Sequence, residues 1–291
     1  MTETTNKEIE LIPCVYDFIF KSVMLDPEAR DYLIGYIHMI TKLPIEIIRK
    51  NIKIENIEHT LENKKDRRLK SDIIVSIGKL YINIEMNKDY YDGLFLKNTA
   101  YTQKIASTMY NVGEDFDSEN KIYQINFDNF DHFGDNQEVY EFIMKERTTN
   151  RIKDENLIEY HVNLEYIYNL CYNKQVEELS EFERYCLLLK AETREFENKI
   201  SGDDKIMNRV KNKIETLSED EKMIGLYDAE KMEEKIRNTQ IKNARKEGIK
   251  EGIEQGSNQR NIEIAKNMLK ENIDIKIISK VTGLSIEDIE E

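Results

Sequence analysis

Proline and glycine are scarce in this chain, at 3 and 11 of 291 residues, too few for long flexible linkers. The three cysteines, Cys14, Cys171 and Cys186, are far apart and form no Cys-x-x-Cys, so reduced and mostly buried thiols are expected. The four histidines, His38, His59, His132 and His161, include no pair at metal-ligand spacing, which argues against zinc. His161 sits among alternating strand residues and reads as a structural side chain rather than a ligand. No apolar run approaches the ~18 residues of a membrane helix, and MTETTNKEIE lacks the apolar centre of a signal peptide. A cytoplasmic protein with no membrane partner is expected. Positive charge is also short, since 43 Lys+Arg against 57 Asp+Glu leave a net charge of −14. A domain that coats nucleic acid by bulk electrostatics carries the opposite sign, so any such contact here needs a local basic patch.

The chain has the length for one generous domain or a domain with an appendage. Residues 16–40 carry helical spacing, with Asp26-Pro27 as a start signal between two helices. Ile52 to Thr60 alternates as a half-buried strand, and a charged loop holding Lys64, Lys65, Arg67, Arg68 and Lys70 follows. Two β-like runs then meet at Gly78-Lys79 as a hairpin. Leu94 to Tyr110 returns to helical spacing. Lys121–Phe127, Val139–Glu146 and Leu157–Leu164 read as strands, the last two forming a hairpin. Beyond Glu165 helices dominate, including one over Phe182–Phe196 and one over Asp203–Leu217. The Glu-Gly repeat of residues 247–256 reads as a Gly-lined helix or a hinge, because each glycine weakens a helix by ~1 kcal/mol. After it, Asn261–Lys270, Ile275–Val281 and Ser285–Glu291 give a helix-turn-helix-like outline. The acidic SIEDIEE has the wrong charge for a DNA groove, which favours a packing or oligomerisation element.

The hairpin KSDIIVSIGKLYINIEMNKDY carries the chemistry. Alternation puts Asp72, Ile74 and Ser76 on one face, and Glu85 and Asn87 on one face of the returning strand. Ile73, Val75, Ile77, Ile82, Ile84 and Met86 take the other. The pairing can bring Asp72 near Glu85 on a solvent-accessible side, where two carboxylates repel unless a cation lies between them. Mg²⁺ or Mn²⁺, with oxygen ligands, is the economical cation, and it activates water for phosphodiester attack. Ordinary acids on a solvated strand face are the plain alternative.

Asp72…Glu85-x-Asn87 resembles the PD-(D/E)xK nuclease core. The chain as a whole is similar to the recombination-promoting nuclease, or putative transposase, branch of that superfamily. Asp17-Phe18-Ile19-Phe20-Lys21 looks like the branch's Asp-x-x-Phe-Lys signature. Leu69-Lys70-Ser71-Asp72-Ile73 and Ile84-Glu85-Met86-Asn87 match its two catalytic strands. Lys97 and Tyr101 stand at its helical basic and tyrosine positions, and Ile125-Asn126-Phe127 to Phe130 looks like its next strand. The resemblance implies an α/β mixed sheet, restriction-endonuclease-like, over residues 1–200, with an all-α extension over 201–291. It implies DNA cleavage with Mg²⁺ or Mn²⁺ held by Asp72 and Glu85, with Asp17 adding a carboxylate and Lys21 meeting a phosphate. A helix cap and a solvated face are the plain readings of those two. Where the superfamily keeps Lys and the branch often Gln, this chain has Asn87, which can orient a water but cannot take its proton. Lys88 points to the other face of a regular strand. Lys97 or Lys104, seven positions apart on one helix, is the candidate replacement. Two readings stay open: an active nuclease with a migrated or absent lysine, or a core that binds metal and DNA and cuts poorly.

The basic loop Lys64 to Lys70 is the candidate grip on phosphates. Double-strand cleavage by one site per chain favours a dimer, assembled through the C-terminal helices. The competing classes are a degenerate core serving as an oligomeric interaction module, and a DNA-binding regulator using residues 257–291.

Overall fold

The computed structural model describes residues 11–55, 71–108 and 119–290. The chain divides into two compact units, residues 1–227 and 228–291.

The first unit is built on a six-stranded sheet in the order β1-β2-β3-β4-β6-β5. Its strands are β1 (Ile52–Glu55), β2 (Ile73–Ile77), β3 (Leu80–Asn87), β4 (Lys121–Asp128), β5 (Val139–Ile143) and β6 (Leu157–Asn163). Antiparallel pairing joins β1 to β2, β2 to β3 and β5 to β6, while β3, β4 and β6 run parallel. The β2–β3 turn requires Gly78, whose φ of 64° lies where side chains are disfavoured. The described residues of the two units together form eleven helices: α1 (Asp17–Met24), α2 (Arg30–Thr41), α3 (Ile45–Asn51), α4 (Leu94–Thr108), α5 (Leu164–Cys171), α6 (Glu181–Leu189), α7 (Arg194–Ser201), α8 (Lys205–Glu219), α9 (Glu221–Lys270), and, in the second unit, α10 (Ile275–Thr282) and α11 (Ile286–Glu290). The mixed sheet with flanking helices and helical C-terminal region is the architecture the sequence implies.

Register gives the sheet two unlike faces. Pairing of Ile73 with Ile84 and of Val75 with Ile82 extends across β4 and β6, so Ile125, Phe127, Tyr160 and Val162 share one apolar face. That face joins the main core with Phe20 of α1, Tyr36 of α2, Leu188 of α6 and Met207 of α8. The opposite face is apolar only where Ile74 and Ile122 meet Ile105 of α4. Towards the C-terminal ends of the parallel strands it is polar in all three. Asn83, Glu85 and Asn87 stand in register beside Gln124, Asn126 and Asp128, and these beside Glu159, His161 and Asn163. The expectation of a solvent-accessible face fails here, because Glu85, Asn87, Gln124, Asn126, Asp128 and His161 are all buried. Asn98 and Thr102 of α4 are buried as well, so this helix carries a polar side of its own.

Other differences are local. The helix expected over Phe182–Phe196 is two, since Thr193 accepts from Phe196 N and caps a new start at α7. Helix α3, with Ile48 buried, has no counterpart in the sequence reading. Beyond Glu55, the rest of the Ile52–Thr60 strand lies outside the described residues, as do Tyr110 and the basic loop.

In the second unit the Glu-Gly repeat is helical throughout, and Asn261–Lys270 is the end of α9 rather than a separate helix. Ala265, Ile278 and Ile289 form a small core closed by Met268, Ile273, Ile275 and Leu284. Asp274 caps α10 through Lys276 N, and Gly283 at φ 73° ends it.

One buried acid outside the sheet makes a measurable prediction. Both carboxylate oxygens of Glu197 in α7 are buried without a hydrogen-bond partner. Burial, then Glu215, pushes its pKa up to about 8. A folded-state pKa above the unfolded one favours protonation, so this stability is present at acid pH and lost as pH rises towards 8. Glu197→Gln removes that dependence. Its melting temperature is expected to gain on the parent between pH 5 and 8.5, opening a gap of roughly 3–6 °C in thermal melts.

Candidate functional site

Asp72 precedes β2 and Glu85 lies within β3, and the main chain locks their side chains together. Asp72 N donates to Glu85 Oε1 at 3.1 Å, and Met86 N donates to Asp72 Oδ2 at 2.9 Å. Each acid is therefore oriented by the backbone beside the other. Burial, then Glu85 and Asp17, raises the Asp72 pKa to about 7. Burial likewise holds Glu85 above the usual carboxylate range, against the pull of Lys97.

Two ammonium groups offset this crowded negative charge. Lys21 Nζ lies 2.9 Å from Asp17 and 3.0 Å from Asp72, bridging the two. Burial works to lower its pKa, yet the two carboxylates leave it above the ordinary lysine value. On the other side, Lys97 Nζ of α4 sits 3.2 Å from Glu85 Oε2 and 5.3 Å from the Tyr101 ring centre. The Tyr101 hydroxyl is itself raised, by burial and then by Glu85. Asp17, Lys21, Asp72, Glu85, Lys97 and Tyr101 thus converge from α1, the hairpin and α4.

The remaining expected residues separate. Lys104, two turns beyond Lys97, makes no ion pair among the described residues. Lys88 points to the opposite face, 4.2 Å over the Tyr16 ring. Asn87 donates from Nδ2 to Asp128 Oδ1 at 2.8 Å. Lys64, Lys65, Arg67, Arg68 and Lys70 lie outside the described residues. Asp72 and Glu85 bring two carboxylates together, and Lys21 bridges Asp17 to Asp72. Among the described residues no group of three or more His, Cys, Asp or Glu is placed to hold a metal.

Sequence reasoning missed the polar layer that continues from this pair. Asn83 Nδ2 donates to Glu85 at 3.2 Å and to Gln124 Oε1 at 2.8 Å, and Gln124 Nε2 to Asn126 Oδ1 at 2.9 Å. Asn126 Nδ2 reaches Glu159 at 3.2 Å. His161 then lies between Asp128, at 2.6 Å from Nδ1, and Glu159, at 3.0 Å from Nε2. Burial disfavours the imidazolium, but these two acids push its pKa up to about 9. The signal was present as alternate polar residues in β4 and β6.

A family model described as PD-(D/E)XK nuclease family transposase matches residues 14–244. The chain belongs to this family. A second model, the C-terminal HTH domain of the Rpn/YhgA-like nuclease family, matches residues 258–291. The family member thus joins a nuclease-type core to a helix-turn-helix tail of α10, α11 and the end of α9. That match supports the DNA-reading alternative for the tail, which its acidic charge had weighed against. No curated protein and no solved structure matches the chain.

The lysine assignment is testable without any activity. Lys97→Met leaves Glu85 buried without its cation, a loss expected to destabilise the fold by about 3 kcal/mol. Adding Glu85→Gln to that variant is expected to restore most of it. Lys104→Met should stay within about 0.5 kcal/mol of the parent. Urea denaturation of the four proteins measures all three differences.

Proposed function

We propose that the chain is a divalent-metal-dependent DNA endonuclease, with Asp72 and Glu85 as ligands of Mg²⁺ or Mn²⁺. The observation that carries the reading is the reciprocal locking of the two carboxylates with Lys97 at 3.2 Å from one of them. Crowded hard-oxygen donors whose charge is offset by lysine ammonium groups suit a small divalent cation. When bound, the ion would act as a Lewis acid on the phosphodiester and lower the pKa of its water.

The chain's own groups would supply the rest. Lys97 takes the part of the superfamily lysine, offering positive charge to the developing phosphorane from α4 instead of from β3. Asn87 orients water as a hydrogen-bonding amide and moves no proton. Lys21, once its carboxylates turn to the metal, is free to meet a phosphate. Asp17 assists through that lysine, and Tyr101 lines the same approach. Lys104, further along α4, contributes charge to bound DNA. Lys64, Lys65, Arg67, Arg68 and Lys70 supply the phosphate grip that an acidic body otherwise lacks. Residues 1–200 would be the cutting domain and 201–291 the extension, whose helix-turn-helix holds DNA and whose helices pair two copies in the cytoplasm. The family's transposase description agrees with a role in recombination or transposition.

A second reading, a degenerate core that binds without cutting, is favoured by one observation: the amide nitrogen of Asn87 is committed to Asp128. Plasmid nicking separates the two. The parent protein is expected to nick DNA with Mg²⁺ or Mn²⁺, and Asp72→Ala and Glu85→Ala each to lose ~10²-fold or more, with Lys97→Met falling at least ~10-fold. Persistent metal-dependent nicking in both alanine variants sinks the site assignment. A parent that cuts no nucleic acid with either metal leaves the binding module.

A further inference from the structure

We propose that His161 is a positioning residue which, through Asp128, sets the direction of the Asn87 side-chain amide beside the carboxylate pair. The proposal rests on the nuclease reading for its consequence, but not for its geometry. Asn87 occupies the third position of the motif, two residues after Glu85. An amide can face its neighbours either way round, so what it offers a water or phosphate depends on what holds its other end.

Here that end is held by an ion pair. Asn87 Nδ2 donates to Asp128 Oδ1 at 2.8 Å, and the other oxygen of Asp128 accepts from His161 Nδ1 at 2.6 Å. The second ring nitrogen faces Glu159 at 3.0 Å, with Asn126 Nδ2 at 3.4 Å, and an acid at each nitrogen favours the imidazolium. An ionised carboxylate only accepts, so Asp128 can bind the amide nitrogen of Asn87 and never its oxygen. The bond from His161 to the second oxygen fixes the plane of the Asp128 carboxyl group. The backbone is pinned at the same point by Asn129 N, which donates to Asn87 O at 2.9 Å.

The consequence is chemical. With Nδ2 committed, Asn87 presents Oδ1, an acceptor, and among the described residues nothing donates to it. An acceptor beside two metal-type carboxylates orients a water by holding one of its hydrogens. A donor there would compete with the carboxylates' own cations. The edge of the layer thereby converts a residue that cannot replace lysine into one with a single defined orientation. The neutral reading, that Asp128 and His161 merely fill the space between sheet and α4, predicts no such link to Asn87.

Three variants and one double variant test this in the full chain: His161→Gln, Asp128→Asn, Asn87→Ala, and Asn87→Ala with His161→Gln. Circular dichroism selects the variants that keep the fold, and either His161→Gln or Asp128→Asn serves. Single-turnover plasmid nicking at saturating Mn²⁺ is expected to slow roughly 10-fold in each single variant. The double variant is expected to be no slower than Asn87→Ala alone, to within about twofold, because His161 acts through that amide. The Asn87 side-chain resonance, assigned by its loss in Asn87→Ala, should shift and exchange faster with water in His161→Gln and in Asp128→Asn. Losses that multiply in the double variant, or a resonance that neither change moves, overturn the proposal. If the parent and Asp72→Ala nick DNA alike, the nuclease reading has failed instead, and the resonance alone decides whether His161 governs Asn87.

Discussion

Two carboxylates pressed together in a protein interior cannot both stay ionised without positive charge beside them, and this constraint organises the molecule. The Glu85 carboxylate accepts from Asp72 N and the Asp72 carboxylate from Met86 N, so the main chain holds the two side chains together. Their relief comes from Lys21 of α1 and Lys97 of α4. Helices from the two sides of the hairpin are thereby committed to one spot. A short salt bridge at the surface does little for stability, but one whose acid is almost fully buried is costly to break. The same arrangement leaves room for function, because ammonium groups on flexible stems are replaceable by a smaller and more highly charged ion.

The polar layer beyond the pair extends that constraint across the sheet. A buried amide or carboxylate costs stability unless its bonds are made, so each residue added to the layer requires another. Glu85 leads to Asn83, Gln124, Asn126 and the Asp128–His161–Glu159 group, in register over three parallel strands. The layer lies towards the carboxyl ends of those strands, where open α/β sheets bind ligands. Stability rests elsewhere, on the apolar face packed with Phe20, Tyr36 and Leu188. One side of the sheet holds the fold together and the other holds the polar groups.

Much of this was legible in the residues. Period-two alternation fixed the faces of β2 and β3, and the Gly78-Lys79 turn fixed their pairing, so Asp72 beside Glu85 followed from the sequence. Resemblance to the nuclease branch points to Lys97, but helical spacing by itself leaves Lys97 and Lys104 as alternatives for the missing lysine. That choice depends on how α4 is rotated over the sheet, which spacing within one helix does not contain. The polar layer was missed for a related reason. Gln124, Asn126 and Asp128 alternate as a solvated face would, and only the pairing of β4 with β3 and β6 shows that they meet partners and not water. His161 reads as structural from its place among alternating strand residues, but its partners, acids from two strands, are not visible at that level. Where local chemistry alone decides, as with Thr193 capping α7, the signal was present in the sequence and the longer helical pattern obscured it.

The most direct test of the central claim is the anomalous diffraction of a crystal soaked in Mn²⁺. The account predicts one strong peak about 2.1 Å from a carboxylate oxygen of both Asp72 and Glu85. It also predicts that the Lys21 ammonium will have left Asp72. A crystal soaked in Mn²⁺ that shows no peak between the two carboxylates, with Lys21 still on Asp72 and Lys97 still on Glu85, contradicts it.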